Sequence, residues 1–144
     1  MDQIDRIMQL TMGIGRVMRH RMGSLAREMK INFLQLHALT LIVERPGITM
    51  KELAAELFVT GPSATSFIER LVRLRFIRRV RDKRNRKLVR LMITLTGKRK
   101  LSACMQRRRE VLAAILGKLP QRDLDAMIRL FTDLNALLST RRHV

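Results

Sequence analysis

Residues 48–87 read ITMKELAAELFVTGPSATSFIERLVRLRFIRRVRDKRNRK, and a change of hydrophobic period inside this stretch decides the fold. Thr49 with Glu52 three residues on, flanked by Ile48 and Leu53, combines a capping box with a hydrophobic staple, so a short helix is expected over about residues 50–57. FVTG then makes a four-residue turn. Thr60 is the natural N-cap of the next helix, and Pro62 falls in its first turn, where a missing N–H costs nothing. Ala64, Phe67, Ile68, Leu71, Val72 and Leu74 form the buried side of that helix. The opposite side near its start, Gly61, Pro62, Ser63, Thr65 and Ser66, is small, hydroxyl-bearing and free of acid. Such a surface can approach another backbone closely.

After Phe76 the period shortens to two. Ile77 and Val80 bracket Arg78 and Arg79, and Val89, Leu91, Ile93 and Leu95 alternate with Arg90, Met92, Thr94 and Thr96, the pattern of a half-buried strand. Between them RDKRNRK is too polar to pack and too tightly bounded by strands to be a tail. It reads as the tip of a hairpin.

Working outward, Asn32 with Gln35 three residues on starts a helix containing Leu34, Leu36, His37, Leu39, Leu41, Ile42 and Val43, ended by Pro46-Gly47. Before it, Ile4, Ile7, Thr11, Ile14, Met18, Met22, Leu25 and Met29 recur at steps of three and four, the stripe of a long amphipathic helix. That stripe has more apolar face than a small domain needs and implies a partner subunit. On the C-terminal side Thr96 is expected to cap a helix that opens GKRKLSACMQRRR, continues VLAAIL and ends at Gly117 near Pro120. A last helix, about residues 121–139, carries Leu124, Met127, Ile128, Phe131, Leu134, Leu137 and Leu138 on one side.

The chain has 144 residues and a formal charge of +18. An excess of that size calls for an anionic partner: nucleic acid, an acidic membrane or an acidic protein. Residues 75–109 hold 15 Lys/Arg against one acid, Asp82, so most of the excess lies in the hairpin and the start of the helix after it. With Phe 5, Trp 0 and Tyr 0 the core must be aliphatic, and Met 10 makes parts of it adaptable. One Cys excludes an intramolecular disulfide and a multi-cysteine metal site. No apolar run reaches the ~18 residues of a membrane span, and MDQIDR is no secretory leader, so the expected location is cytoplasmic. No nucleophile–base pair, metal set or phosphate loop points to an enzyme, and no cofactor is expected.

Helix, short helix, turn, helix and basic hairpin, in that order, make a winged helix-turn-helix: mainly α with a small two-stranded β-wing, and with N- and C-terminal helices left over for dimerisation. The expected division is 31–96 for DNA binding, with 1–30 and 97–144 as dimerisation helices of a single chain. In such an element the third helix enters the major groove and the wing follows the backbone toward the minor groove. Thr60, Gly61, Pro62, Ser63, Thr65 and Ser66 would then face DNA at a helix N-terminus that itself attracts phosphate. Arg70 and Arg73 lie later on the same helix, and Arg81, Lys83, Arg84, Arg86 and Lys87 lie on the wing. Arginine there suits a narrow, electronegative minor groove.

The stretch quoted above, followed by LTGKRKL and flanked by long helices, resembles the MarR family of bacterial transcription regulators over nearly the whole chain. Its most specific part is the wing, Asp82-Lys83-Arg84-Asn85-Arg86. The resemblance implies a homodimer on a pseudo-palindromic double-stranded operator, and a small aromatic effector of the kind many members bind; repression is expected because blocking a promoter needs no polymerase-contacting surface. It also implies Arg84 as the minor-groove arginine and Asp82 as the residue holding the wing's shape. Asn85 stands where the family carries an acid, which predicts the loss of a wing salt bridge. The glycine that the family carries three residues after its Leu-Thr pair is absent, with Gly97 directly after Thr96.

Each site has a plainer reading. The wing arginines could be a solvated charged loop, and the hydroxyls of Thr60 to Ser66 ordinary helix capping. Cys104, amid Lys and Arg, is expected to be either a thiolate redox site or a small buried hydrophobe. Met12, Arg16, His37 and Leu41 are candidates for an effector pocket, against a core histidine for His37. His20, His37 and His143 have no metal-ligand spacing, so no metal is expected. The rival function is a basic binder of DNA or RNA without sequence preference, since the charge alone gives strong non-specific affinity. A pure backbone binder should show Lys/Arg on the exposed helix face, where this chain has Ser63, Thr65 and Ser66.

Overall fold

The computed structural model describes residues 2–139, and the elements follow the local signals closely. Asp2, Asn32 and Thr49 each close a capping box with the residue three positions on, and so start α1 (Gln3–Met29), α2 (Phe33–Glu44) and α3 (Met50–Leu57). Thr60 caps α4 (Gly61–Arg73), with Pro62 in the first turn. Then come β1 (Ile77–Arg81), β2 (Val89–Ile93), α5 (Leu95–Leu116) and α6 (Gln121–Ser139). The chain divides into two compact units, one running to Arg107 and one starting at Arg108.

In the first unit the apolar sides of α2, α3 and α4 meet the hairpin. Leu39, Ile42, Leu53, Ile68, Leu71, Ile77, Leu91 and Cys104 are the largest side chains fully removed from water. α2 is its centre, with Ala38, Leu39 and Ile42 at zero exposure. His37 is on the outer side, exposed, its ring 6.3 Å from that of Phe33, so it is not a core histidine. Along α1 only the C-terminal part is covered: Leu25 is buried and Met29 packs on the core, whereas Ile4, Ile7 and Ile14 are each more than half exposed.

β1 and β2 pair antiparallel from Ile77↔Ile93 to Arg81↔Val89. The turn after α2 joins the other edge of β2. Gly47 N–H donates to Leu91 O (3.1 Å), and Leu91 N–H donates to Ile48 O (2.9 Å). The wing is thereby tied to the helix-turn-helix as well as to its own neighbours in sequence.

Two expectations at the start of α5 need correction. Leu95 is not on the strand but in the helix, and it is exposed. The cap is Thr94 rather than Thr96: its Oγ1 accepts the Gly97 N–H at 3.0 Å. Counted from Thr94, Gly97 is the third residue on, so the Thr-to-Gly spacing read as missing is present, with Ile93 in place of the Leu. Packing explains the glycine, since a Cβ at position 97 would lie 2.0 Å from the Phe76 carbonyl oxygen.

In the second unit Gly117 N–H closes the end of α5 on Ala113 O (2.8 Å), and α6 follows as expected from Gln121. No residue of α6 is buried, and Ile128, Phe131, Leu134, Leu137 and Leu138 are all more than half exposed. Among the described residues no helix is long and apolar enough to cross a membrane.

Candidate nucleic-acid interface

The start of α4 is solvent-exposed from Thr60 to Ser66 apart from Ala64, and its hydroxyls fall into two groups. Thr60 Oγ1 accepts the Ser63 N–H (3.4 Å) and donates to Ser63 Oγ (3.0 Å), while Thr65 Oγ1 donates to Gly61 O (3.0 Å). Those two threonines serve the helix itself. The hydroxyl hydrogens of Ser63 and Ser66 have no acceptor among the described residues, so they are the donors left for a ligand. Gly61 and Thr65 also edge a concavity of about 460 Å³ shared with Met50, Lys51, Ala54, Ala55 and Val59. Arg70 and Arg73 are exposed further along, Arg73 in the last turn where a cation complements the helix dipole.

The wing is organised around its single acid. Asp82 Oδ1 accepts the N–H groups of Arg84 (2.8 Å) and Asn85 (2.9 Å), and Oδ2 accepts Arg90 Nε–H (2.5 Å). Arg90 Nη1–H reaches on to Gly47 O at 2.9 Å, so one guanidinium joins the wing to the turn before α3. Chiefly because of the Arg90 bond, and then of the two backbone N–H groups, the Asp82 carboxyl is held down at about 2. The wing therefore keeps an ion pair despite Asn85, whose own Oδ1 accepts the Lys87 N–H at 3.2 Å. Nothing in the alternation of β2 distinguished Arg90 from a solvent-facing strand residue. Its partner lies on another element, and only the folded chain brings Gly47 beside it.

With Asp82 turned onto Arg90, the exposed cations Arg81, Lys83, Arg84, Arg86 and Lys87 have no acid partner among the described residues. Those wing residues and the α4 face belong to the same compact unit. The basic run of α5 is partly spoken for. Lys100 Nζ sits 6.0 Å from the Phe76 ring centroid, and Arg107 forks onto Glu28 at 3.2 and 3.3 Å. Lys98, Arg99 and Arg109 are exposed.

Cys104 is in the core at 2% exposure, and burial pushes its thiol up, against the lowering by Lys100. Of the two readings of Cys104 this placement favours the small buried hydrophobe over the thiolate, because desolvation outweighs the nearby cations. Met12, Arg16 and His37 are exposed and Leu41 is buried, and none of the four lines either concavity described for this chain. No group of three His, Cys, Asp or Glu among the described residues could hold a metal, and His143 lies outside those residues.

The family model described as MarR family matches residues 29–88, which span α2 to the wing tip. Comparison with curated protein sequences finds no match. Among solved structures, a MarR family protein from Bacillus stearothermophilus aligns with a TM-score of 0.86 at 20% identity, covering 96% of this chain and 99% of that one. The transcriptional regulator BldR from Sulfolobus solfataricus aligns at 0.72 with 26% identity over 97% and 99%. A mutant of MepR from Staphylococcus aureus, bound to an oligodeoxyribonucleotide, aligns at 0.68 with 20% identity over 92% and 97%.

Proposed function

We propose that this chain, matched by the MarR family model over residues 29–88, is a transcription regulator of that family, a sequence-specific repressor that binds a pseudo-palindromic duplex as a homodimer. The observation that carries the reading is the inward turn of Asp82 onto Arg90. It leaves wing-tip cations without an acid partner, in the same compact unit as an acid-free helix face whose free donors are Ser63 and Ser66. Cations track phosphates and give affinity, while hydroxyl donors on a helix in the major groove meet base edges and give sequence preference. Arg84, at the tip, is assigned to the minor groove. The exposed apolar stripes of α1 and of α6 are assigned to the partner subunit, because stripes of that length left in water are characteristic of interaction sites. A dimer that covers promoter DNA needs no surface for polymerase, which favours repression. Dissociation by a small aromatic ligand enters from the family resemblance alone, and its test is a ligand-dependent loss of duplex binding.

Selection of bound duplexes from a random pool tests the proposal. Enriched sequences should form an inverted repeat with half-sites about one helical turn apart. A pool that emerges without a shared sequence would indicate a charge-driven binder instead, the reading that +18 alone would support.

A further inference from the structure

The concavity at the corner of α1 and α2, about 260 Å³ and edged by Arg27, Lys30 and Arg70, has its buried polar side chain, Gln35, committed to the capping box of α2. The concavity between α3 and α4, about 460 Å³, is of another kind. Met50, Ala54 and Ala55 of α3, Val59 of the turn, and Gly61 and Thr65 of α4 line it, with Lys51 as its one charged residue and no acid. Its wall is therefore largely methyl and methylene surface.

Thr65 contributes to that wall as an apolar residue. Its Oγ1 donates to Gly61 O at 3.0 Å, so the hydroxyl is spent on the helix and the methyl group is what it offers a ligand. Gly61 has no side chain to close the mouth, and a Cβ built there would meet nothing within 4 Å. The concavity thus opens outward at the first turns of α4, on the helix that also carries the hydroxyl donors Ser63 and Ser66. Ala55 on one helix and Thr65 on the other are both exposed.

We propose, on the footing of the duplex binding proposed above, that this concavity receives the 5-methyl group of a thymine in the major groove, with Ala55, Val59 and Thr65 as the residues that read it. Among the groups a major groove displays, the thymine methyl is the apolar one, and the others that mark a base pair are hydrogen-bond donors or acceptors. A wall of alanine, valine and threonine methyls has nothing to offer those. A backbone phosphate would call for cations or polar donors, and the concavity has a single lysine. Ser63 and Ser66, on the same helix, are left for the polar edges of neighbouring base pairs.

Uracil in place of thymine removes that methyl and leaves every hydrogen-bonding group of the base where it was. In a duplex selected by the full-length protein from a random pool, each thymine of the shared half-site is replaced by uracil in turn. One position in each half-site should lose about fourfold in affinity, the worth of one buried methyl, and the others less. Thr65→Ser keeps the hydroxyl for Gly61 O and removes the methyl, while Ala55→Leu fills the concavity with a side chain that favours helix. Both variants should keep the wild-type far-UV dichroism, and in both the penalty for uracil at that position should shrink, which a merely structural role for these residues would not bring about. The thymine seat is overturned if a shared half-site emerges and no uracil in it weakens binding, or if the penalty is the same in wild type and both variants. A pool without a shared sequence would instead overturn the function proposed above, and the seat with it.

Discussion

Arg90 presents two nitrogens to two acceptors on different elements, Asp82 of the wing and the carbonyl of Gly47. Lysine can offer one point charge but not that fork, so Arg90→Lys should free the wing although the charge is kept. The expected readout is faster hydrogen exchange at the Arg84 and Asn85 amides and weaker duplex binding. Unchanged exchange would remove Arg90 from this role. The same pair sets a pH dependence. Asp82 is held at about 2 in the folded chain, below its ordinary 3.8, so its stabilising effect is complete above about pH 4 and is lost as pH falls through about 2. Amide shifts of residues 84 and 85 should therefore titrate in that acid window, and Asp82→Asn should abolish the titration. At Gly97 the constraint is steric. An added Cβ would meet the Phe76 carbonyl and the Ile93 side chain, so Gly97→Ala should destabilise the fold by ~1–3 kcal/mol, read as a lower melting temperature.

Among the elements, those whose signals are local were legible in the sequence. Thr49 with Glu52, Thr60 with Pro62, and the change of period after Phe76 each specify a boundary through neighbours a few residues away, and α3, α4 and the hairpin stand where they were read. The start of α5 was misplaced because Thr94 and Thr96 are equally good caps locally. What selects Thr94 is the close approach of Gly97 to Phe76, a tertiary contact. The candidate site was legible as a face and a loop, since exposure of hydroxyls and cations follows from the periodicity of their helix and hairpin. The Arg90 clamp was not, because its partners are distant in sequence, whereas Cys104 is the small buried hydrophobe that its neighbours Ala103 and Met105 suggested. The apolar stripe of α6 carries its own prediction. With Leu134 at 52% exposure and no buried residue on that helix, Leu134→Glu should leave the helix content intact yet shift the chain toward monomer in light scattering. A dimer unaffected by the substitution would exclude this face from the interface.

For the molecule as a whole, charge and specificity come from different places. The excess of +18 predicts affinity for any duplex at low salt, falling steeply as salt rises. On the proposed function, sequence preference is assigned to a few groups, Ser63 and Ser66 on α4 and Arg84 on the wing. Arg84→Ala should accordingly cost ~1–3 kcal/mol of operator binding while leaving the fold unchanged. The most direct measurement is competition between duplexes from the region upstream of the gene and scrambled duplexes of equal length, at ~150 mM salt so that the phosphate contribution is tempered. A specific regulator should prefer one native duplex by ~10³-fold or more. Equal binding of native and scrambled DNA, repeated with fragments drawn from the whole genome, would contradict the central claim and leave a charge-driven nucleic-acid binder.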